Sequence, residues 1–286
     1  MKKTILTAAA VIGAGALLFQ GLTQAATAAE IRKVITVNTD YSNVTSSASQ
    51  AERSGLPDLP EGYIKANYKV DDIKSEYYRD QKPASMDLTK EEAAEIGAQA
   101  LWAIFGQSLE GQAIELGYQK PTVQVPRSYW NADVLIDGKL VYTFSLDSVT
   151  GELFTITKSR TLKEKVDLSF DTELDKNPKQ YEELAKKLAK EFNVVHGEIK
   201  SVKYNSQGYG NNDPTISVDI FGENGEIALM DFSRYDQALT GIVFNGLYKP
   251  SMEYHARSVK EMQEKLEEME DSANPEGKPA LKIWSE

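Results

Sequence analysis

Apolar residues recur along the middle of this chain with two alternating periods. From Thr89 the spacing is helical: Ala93, Ile96, Ala100, Leu101, Ile104 and Phe105 fall on one face. Thr89 and Glu92 make a capping-box pair ahead of that face, and Gly106 is placed to stop the helix. Strand-like runs follow at 122–125, 129–136, 140–146 and 153–157. Asp137-Gly138 separates the second and third runs and predicts a type I′ hairpin, because both residues tolerate positive φ. In the third run Leu140, Tyr142, Phe144 and Leu146 alternate with Val141, Thr143 and Ser145, which places the larger apolar set on one face of a sheet.

The pattern then repeats. Asn177 is placed as the cap and Pro178 as the first residue of a second helix, with an apolar stripe of Tyr181, Leu184, Ala185, Leu188, Ala189 and Phe192. Four more strand-like runs come after it, at 199–204, 215–221, 227–232 and 241–244, with Glu223-Asn224-Gly225 as a turn. Further on, Val259, Met262, Leu266 and Met269 form a narrow apolar seam on a polar helix. Barely two heptads long, the seam is expected to dock on the chain's own body rather than to dimerise. The resulting fold class is α+β, with two units that each pack one helix on an antiparallel sheet.

The chain opens differently. Lys2 and Lys3 precede an Ala/Gly/Leu-rich run, and Ala26-Thr27-Ala28 supplies small residues at a cleavage point, so residues 1–28 read as a secretory signal peptide. The rival reading is an uncleaved membrane anchor; a lipid anchor is excluded because the chain has no cysteine. A strand is expected at 31–37 and a polar linker at 40–55, and the Pro- and Tyr-containing stretch 56–85 reads as an arm. The divisions are therefore 29–85 for the N-terminal strand, linker and arm, 86–160 and 161–250 for the two units, and 251–286 for the C-terminal helix and tail.

The net charge of −11 becomes −13 once residues 1–28 are removed, since that segment holds two lysines and no acid. Such a surface repels phosphate backbones, which argues against nucleic acid as a partner. Without cysteines, stability rests on apolar burial rather than on disulfides.

The repetition reaches individual residues at one place. Tyr142 to Phe154 and Met230 to Phe244 both carry Phe-Ser at a strand end, an Asp (Asp147, Asp236), then Thr-Gly (Gly151, Gly241) before a new apolar strand. Asp at the start of a turn and Gly at its end are first of all a structural device. With a helix ahead of each copy, these residues resemble PepSY-type domains, a family of small exported modules in which one helix covers an antiparallel sheet. The resemblance implies a cystatin-like fold and a non-enzymatic role, commonly restraint or chaperoning of secreted peptidases or wall-lytic enzymes. The second copy has one extra residue before Asp236 and one more before Gly241.

Catalytic machinery is sparse. The only histidines are His196 and His255, and neither a zinc-binding His-Glu-x-x-His, a nucleophile elbow nor a phosphate loop is present. Asn211, Asn212, Asp213 and Asp219 offer hard oxygen donors for calcium but lack the EF-hand spacing, and a turn-rich loop accounts for them better. No catalytic residue, metal or cofactor is assigned. For binding, Tyr129, Trp130, Tyr204 and Tyr209 are the candidate contacts, since exposed aromatics anchor peptides and stack on sugars. The expectation is an extracellular or wall-associated, non-catalytic monomer that binds a secreted peptidase or wall hydrolase. A wall-glycan-binding module and a glycosidase built on two carboxylates are the alternatives.

Overall fold

The structure, a computed structural model, describes residues 59–273, with side chains as far as residue 266. The signal segment, the strand at 31–37, the linker, the start of the arm, the side chain of Met269 and the tail beyond residue 273 lie outside this description. Nine strands run as β1 (Lys69–Asp72), β2 (Ala113–Gln119), β3 (Tyr129–Ile136), β4 (Lys139–Asp147), β5 (Leu153–Lys158), β6 (Ile199–Gly210), β7 (Asp213–Gly222), β8 (Ile227–Ser233) and β9 (Leu239–Val243). The helices are α1 (Lys90–Phe105), a short α2 (Thr172–Lys176), α3 (Lys179–Glu191) and α4 (Asn245–Ala273).

Two meanders, β2-β3-β4-β5 and β6-β7-β8-β9, meet through their last strands, giving the order β1-β2-β3-β4-β5-β9-β8-β7-β6. The expectation of two successive sheets is corrected by this junction. Thr155, Ile156 and Thr157 of β5 pair antiparallel with Val243, Ile242 and Gly241 of β9, so a single sheet runs through both halves. All pairings are antiparallel except β1 on β2.

Register explains where the core lies. One row of facing residues crosses the sheet as Leu116, Ala132, Phe144, Ile156, Ile242, Met230, Val218 and Tyr204. These residues belong to one continuous apolar cluster with α1 and α3, which therefore lie on the same side of the sheet. The row on the opposite side reads Glu115, Asp133, Thr143, Thr157, Gly241, Asp231 and Ser217. Helix α4 covers part of that second side, where Tyr248 and Met252 pack on Ile227, Leu229 and Val243.

Helix α1 has its full capping box. Glu92 N–H donates to Thr89 Oγ1 at 3.2 Å, Thr89 N–H donates to Glu92 Oε2 at 2.8 Å, and Gly106 takes φ 62° at the far end. Gly97 lets the helix settle on the sheet, since a Cβ there would lie 2.0 Å from Cζ of Phe144. The ring is fully buried beneath it, a burial worth roughly 2–3 kcal/mol. The hairpin turn has φ 51° at Asp137 and 74° at Gly138, the signs that a type I′ turn requires.

Four local expectations need correction. The run 122–125 is a closed turn in which Thr122 and Val125 hydrogen-bond each other, and the strand lies earlier, at β2. Asn177 ends α2, while Pro178 occupies the cap position of α3 without a side-chain bond. The boundary at residue 250 falls inside α4, which already begins at Asn245. The apolar seam is not docked: Val259, Met262 and Leu266 are 42%, 65% and 54% exposed, because α4 holds the sheet through its first turns and then runs clear of it.

Candidate functional site

A cleft of about 610 Å³ opens on the α1 and α3 side, at one end of the β5–β9 junction. Its floor is apolar: Leu153 of β5 and Phe244 just after β9 lie next to each other in the sheet, where Phe244 N–H donates to the Phe154 carbonyl at 2.8 Å. One wall is the last turn of α1, with Trp102, Ile104 and Gly106. The other is the end of α3, with Glu191, Phe192, Asn193 and Val194.

The helix ends are shaped by local sequence. At Gly106 the left-handed backbone stops α1. At Asn193, φ 49° turns the chain sharply, and Val194 N–H reaches back to the Ala189 carbonyl at 2.9 Å, a Schellman-type closure. Trp102 is half-buried, and its Nε1 donates to the Glu61 carbonyl at 3.1 Å, which draws Pro60 and Glu61 onto the rim.

Four carboxylates surround this floor: Glu61, Glu152, Glu191 and Glu226. Glu152 pairs with Arg127 at 2.8 Å, whose guanidinium lies 4.6 Å from the Phe154 ring centre and 3.3 Å from buried Asp147. Glu226 accepts from His196 N–H at 2.6 Å and faces His196 Nδ1 at 2.9 Å. Glu61 and Glu191 are exposed and have no ion pair among the described residues. The lining includes no lysine or arginine. Among the described residues no three His, Cys, Asp or Glu side chains are grouped to hold a metal ion.

None of the four aromatic contacts read from the sequence lines this cleft. Trp130 is 4% exposed, stacks edge-on with Tyr118 and donates from Nε1 to the Leu88 carbonyl at 3.1 Å, so it is a core residue rather than a surface contact. Tyr129 is half-buried against Phe154, and burial pushes its hydroxyl up to about 12. Tyr204 is half-buried at the margin of the core, its backbone N–H donates to Glu182, and its hydroxyl is also raised by burial to about 12. Tyr209, near the tip of the β6–β7 hairpin, is 56% exposed.

The two Asp-to-Gly corners align differently in space than in sequence. Asp147 is fully buried, its Oδ1 accepts from the N–H groups of Val149 and Thr150 at 2.8 and 2.7 Å, and Gly151 takes φ 76°. In the second corner Ser233 stands where Asp147 stands. Ser233 N–H donates to Ala238 as Asp147 N–H does to Glu152, and Gln237 at φ 60° takes the place of Gly151. Gly241 is thus a strand residue of β9 facing Thr157 and Asp231, which corrects its reading as a turn glycine. Asp236 lies inside the turn, held well below the usual carboxylate range, at about 2, by its bidentate bonds to Arg160 at 2.7 and 2.8 Å. Three of the oxygen donors considered for calcium are engaged elsewhere: Asp213 accepts from Arg160 and Ser233, and Asn212 Oδ1 accepts from Leu162 N–H, while Asn211 donates its Nδ2 to Ser159 Oγ and the Arg160 carbonyl. Asp219, in β7, takes Tyr248 and Asn205.

Sequence reasoning missed the cleft because its walls come from helix ends and its floor from two strands distant in the chain. One signal was present: Trp102 is a large aromatic off the apolar stripe of α1.

No family profile and no curated protein matches the chain. Among solved structures it is similar to the Bacillus megaterium YpeB C-terminal domain, at 11% identity and a TM-score of 0.36, over 56% of this chain and 65% of that one. The match spans slightly less than two thirds of that domain.

Proposed function

We propose that this chain is an exported, non-catalytic binding protein built from two PepSY-like units, which holds and modulates a secreted peptidase or a cell-wall hydrolase. The observation that carries this reading is the cleft at the junction of the two half-sheets. It pairs an apolar floor with a polar rim, the usual composition of a surface that accepts another chain. The duplicated order of one helix followed by four strands supports the assignment of two units. The long edge strand β6, paired among the described residues on its β7 side alone, gives a second place where an extended segment could add to the sheet.

The test uses the mature chain with a panel of peptidases and wall hydrolases secreted by the producing cell. The expected result is slower turnover, or a longer lifetime, of at least one enzyme, with no hydrolysis by the chain alone. If every enzyme keeps its rate and lifetime, or if the chain itself cleaves peptide or glycan, the proposal is wrong.

A further inference from the structure

The geometry points to a partner segment of definite chemistry: the cleft is a receptor for a cationic, amphipathic stretch of polypeptide, one that sets Arg or Lys beside large apolar side chains. This rests on the binding role proposed above and names the ligand class for that site.

Three features converge on it. The floor of Leu153 and Phe244, with Phe192 on the wall beside it, offers apolar area to a nonpolar side chain. Helices α1 and α3 both end at the cleft, so the partial negative ends of two helix dipoles border it. Glu61 and Glu191 then add full charges at the rim, with no described ion pair to neutralise them. The beginning of α4 at Asn245 works in the opposite sense, but it is one helix start against two helix ends and two carboxylates. A cation entering here gains from every one of those negative groups, whereas an anion is repelled by them.

The experiment titrates the mature chain with three short synthetic peptides that alternate Leu with Arg, Gln or Glu. Calorimetry gives affinity, and Trp102 emission reports occupancy of the cleft, with Trp102→Phe identifying that signal. The Leu/Arg peptide is expected to bind and shift Trp102 emission, the Leu/Gln peptide to bind about tenfold more weakly, and the Leu/Glu peptide to give no heat. Added salt weakens the first interaction. Neutralising both rim acids, Glu61→Gln with Glu191→Gln, lowers affinity for the Leu/Arg peptide about tenfold. The same change at exposed Glu183 and Glu261, away from the cleft, has little effect.

Equal affinity for Arg and Gln peptides, an unchanged affinity in the rim double variant, or binding that leaves Trp102 emission unmoved overturns the inference. These outcomes separate from the functional proposal. Enzyme modulation with no charge preference removes only the ligand class, while charge-selective peptide binding with no effect on any enzyme removes only the modulating role.

Discussion

The two halves of the sheet share one plan and finish it differently. In the half made by β2–β5 the outer edge is closed by the short parallel strand β1, and the Tyr78 ring lies against Gly117, where a Cβ would come within 2.7 Å of it. The face turned away from α1 carries Asn131, Asp133, Thr143, Ser145, Thr155 and Thr157, with hydroxyl pairs Thr143–Thr157 at 2.7 Å and Ser145–Thr155 at 2.8 Å. In the half made by β6–β9 the outer strand is long and, among the described residues, paired on one side, and the corresponding face is apolar where α4 lies on it. The strands therefore take their second-face chemistry from what covers them. A meander with one fixed core face can be solvated or roofed on the other by changing a few alternate residues.

The roof carries a larger desolvation cost than the same face of the other half. Asp219 is 3% exposed beneath α4, where it accepts from Tyr248 Oη at 2.7 Å and from Asn205, and burial raises its carboxyl. Asp231, one strand over and bonded by Ser217, is pushed up to about 6, mainly by burial. Both carboxyls are retained in a region that would be more stable without their charge.

The sharpest way to break the comparison is at the helix contacts. Gly97→Ala places a methyl inside the Phe144 ring and is expected to cost about 3 kcal/mol, whereas Ala185→Gly under α3 costs about 1 kcal/mol. Urea unfolding measures both. A Gly97→Ala loss below that of Ala185→Gly would mean that the two helices do not differ in how closely they approach the sheet.

A smaller effect tests the roof. Asp231 has a raised pKa in the folded chain, so its contribution is most favourable below about pH 4 and is lost as pH rises through about 6, when the fold must bury a charge. Asp231→Asn is expected to flatten that fall and add up to about 3 kcal/mol at pH 7, less to the extent that water reaches the group. Asp133, in the same row on the other half, is raised by burial and by Glu115. Asp133→Asn moves stability in the same sense by less. Unfolding free energies measured across pH 4 to 8 decide between these outcomes, and equal effects would remove the distinction between the roofed and open faces.

The smallest effect compares the corners. Gly151→Ala at φ 76° is expected to cost about 1 kcal/mol, while Gln237→Ala at φ 60° stays within about 0.5 kcal/mol because a side chain already accepts that backbone. A thermal unfolding shift for Gln237→Ala as large as that for Gly151→Ala would show that the corners are not equivalent.

Local chemistry made much of this fold legible. The Thr89–Glu92 box, the Asp137-Gly138 turn and the stripe of α3 act within a few residues, and each lies where the pattern put it. Strand β2 was hidden although Ile114, Leu116 and Tyr118 alternate cleanly, because Gly117 interrupts the run and gives the Tyr78 ring its place. The Phe-Ser identity in the two corners suggested a register two residues away from the true one, since backbone bonds rather than residue types define the turn. Merging of the half-sheets and the cleft above them depend on Thr155 meeting Val243, and no short window of sequence contains both residues. Trp130 was misplaced for a related reason: it alternates with half-buried positions in β3, and only the placement of Leu88 and Tyr118 settles which side is covered.

The β5–β9 seam also orders events in time. Strand β5 emerges early during synthesis, but its neighbour in the finished sheet is made last, so the first half must wait with a raw edge until residue 243 arrives. An unpaired edge of that kind invites association with other chains. A premature stop anywhere between 160 and 239 would leave it bare, and such truncated products are expected to aggregate rather than persist as a stable half-molecule.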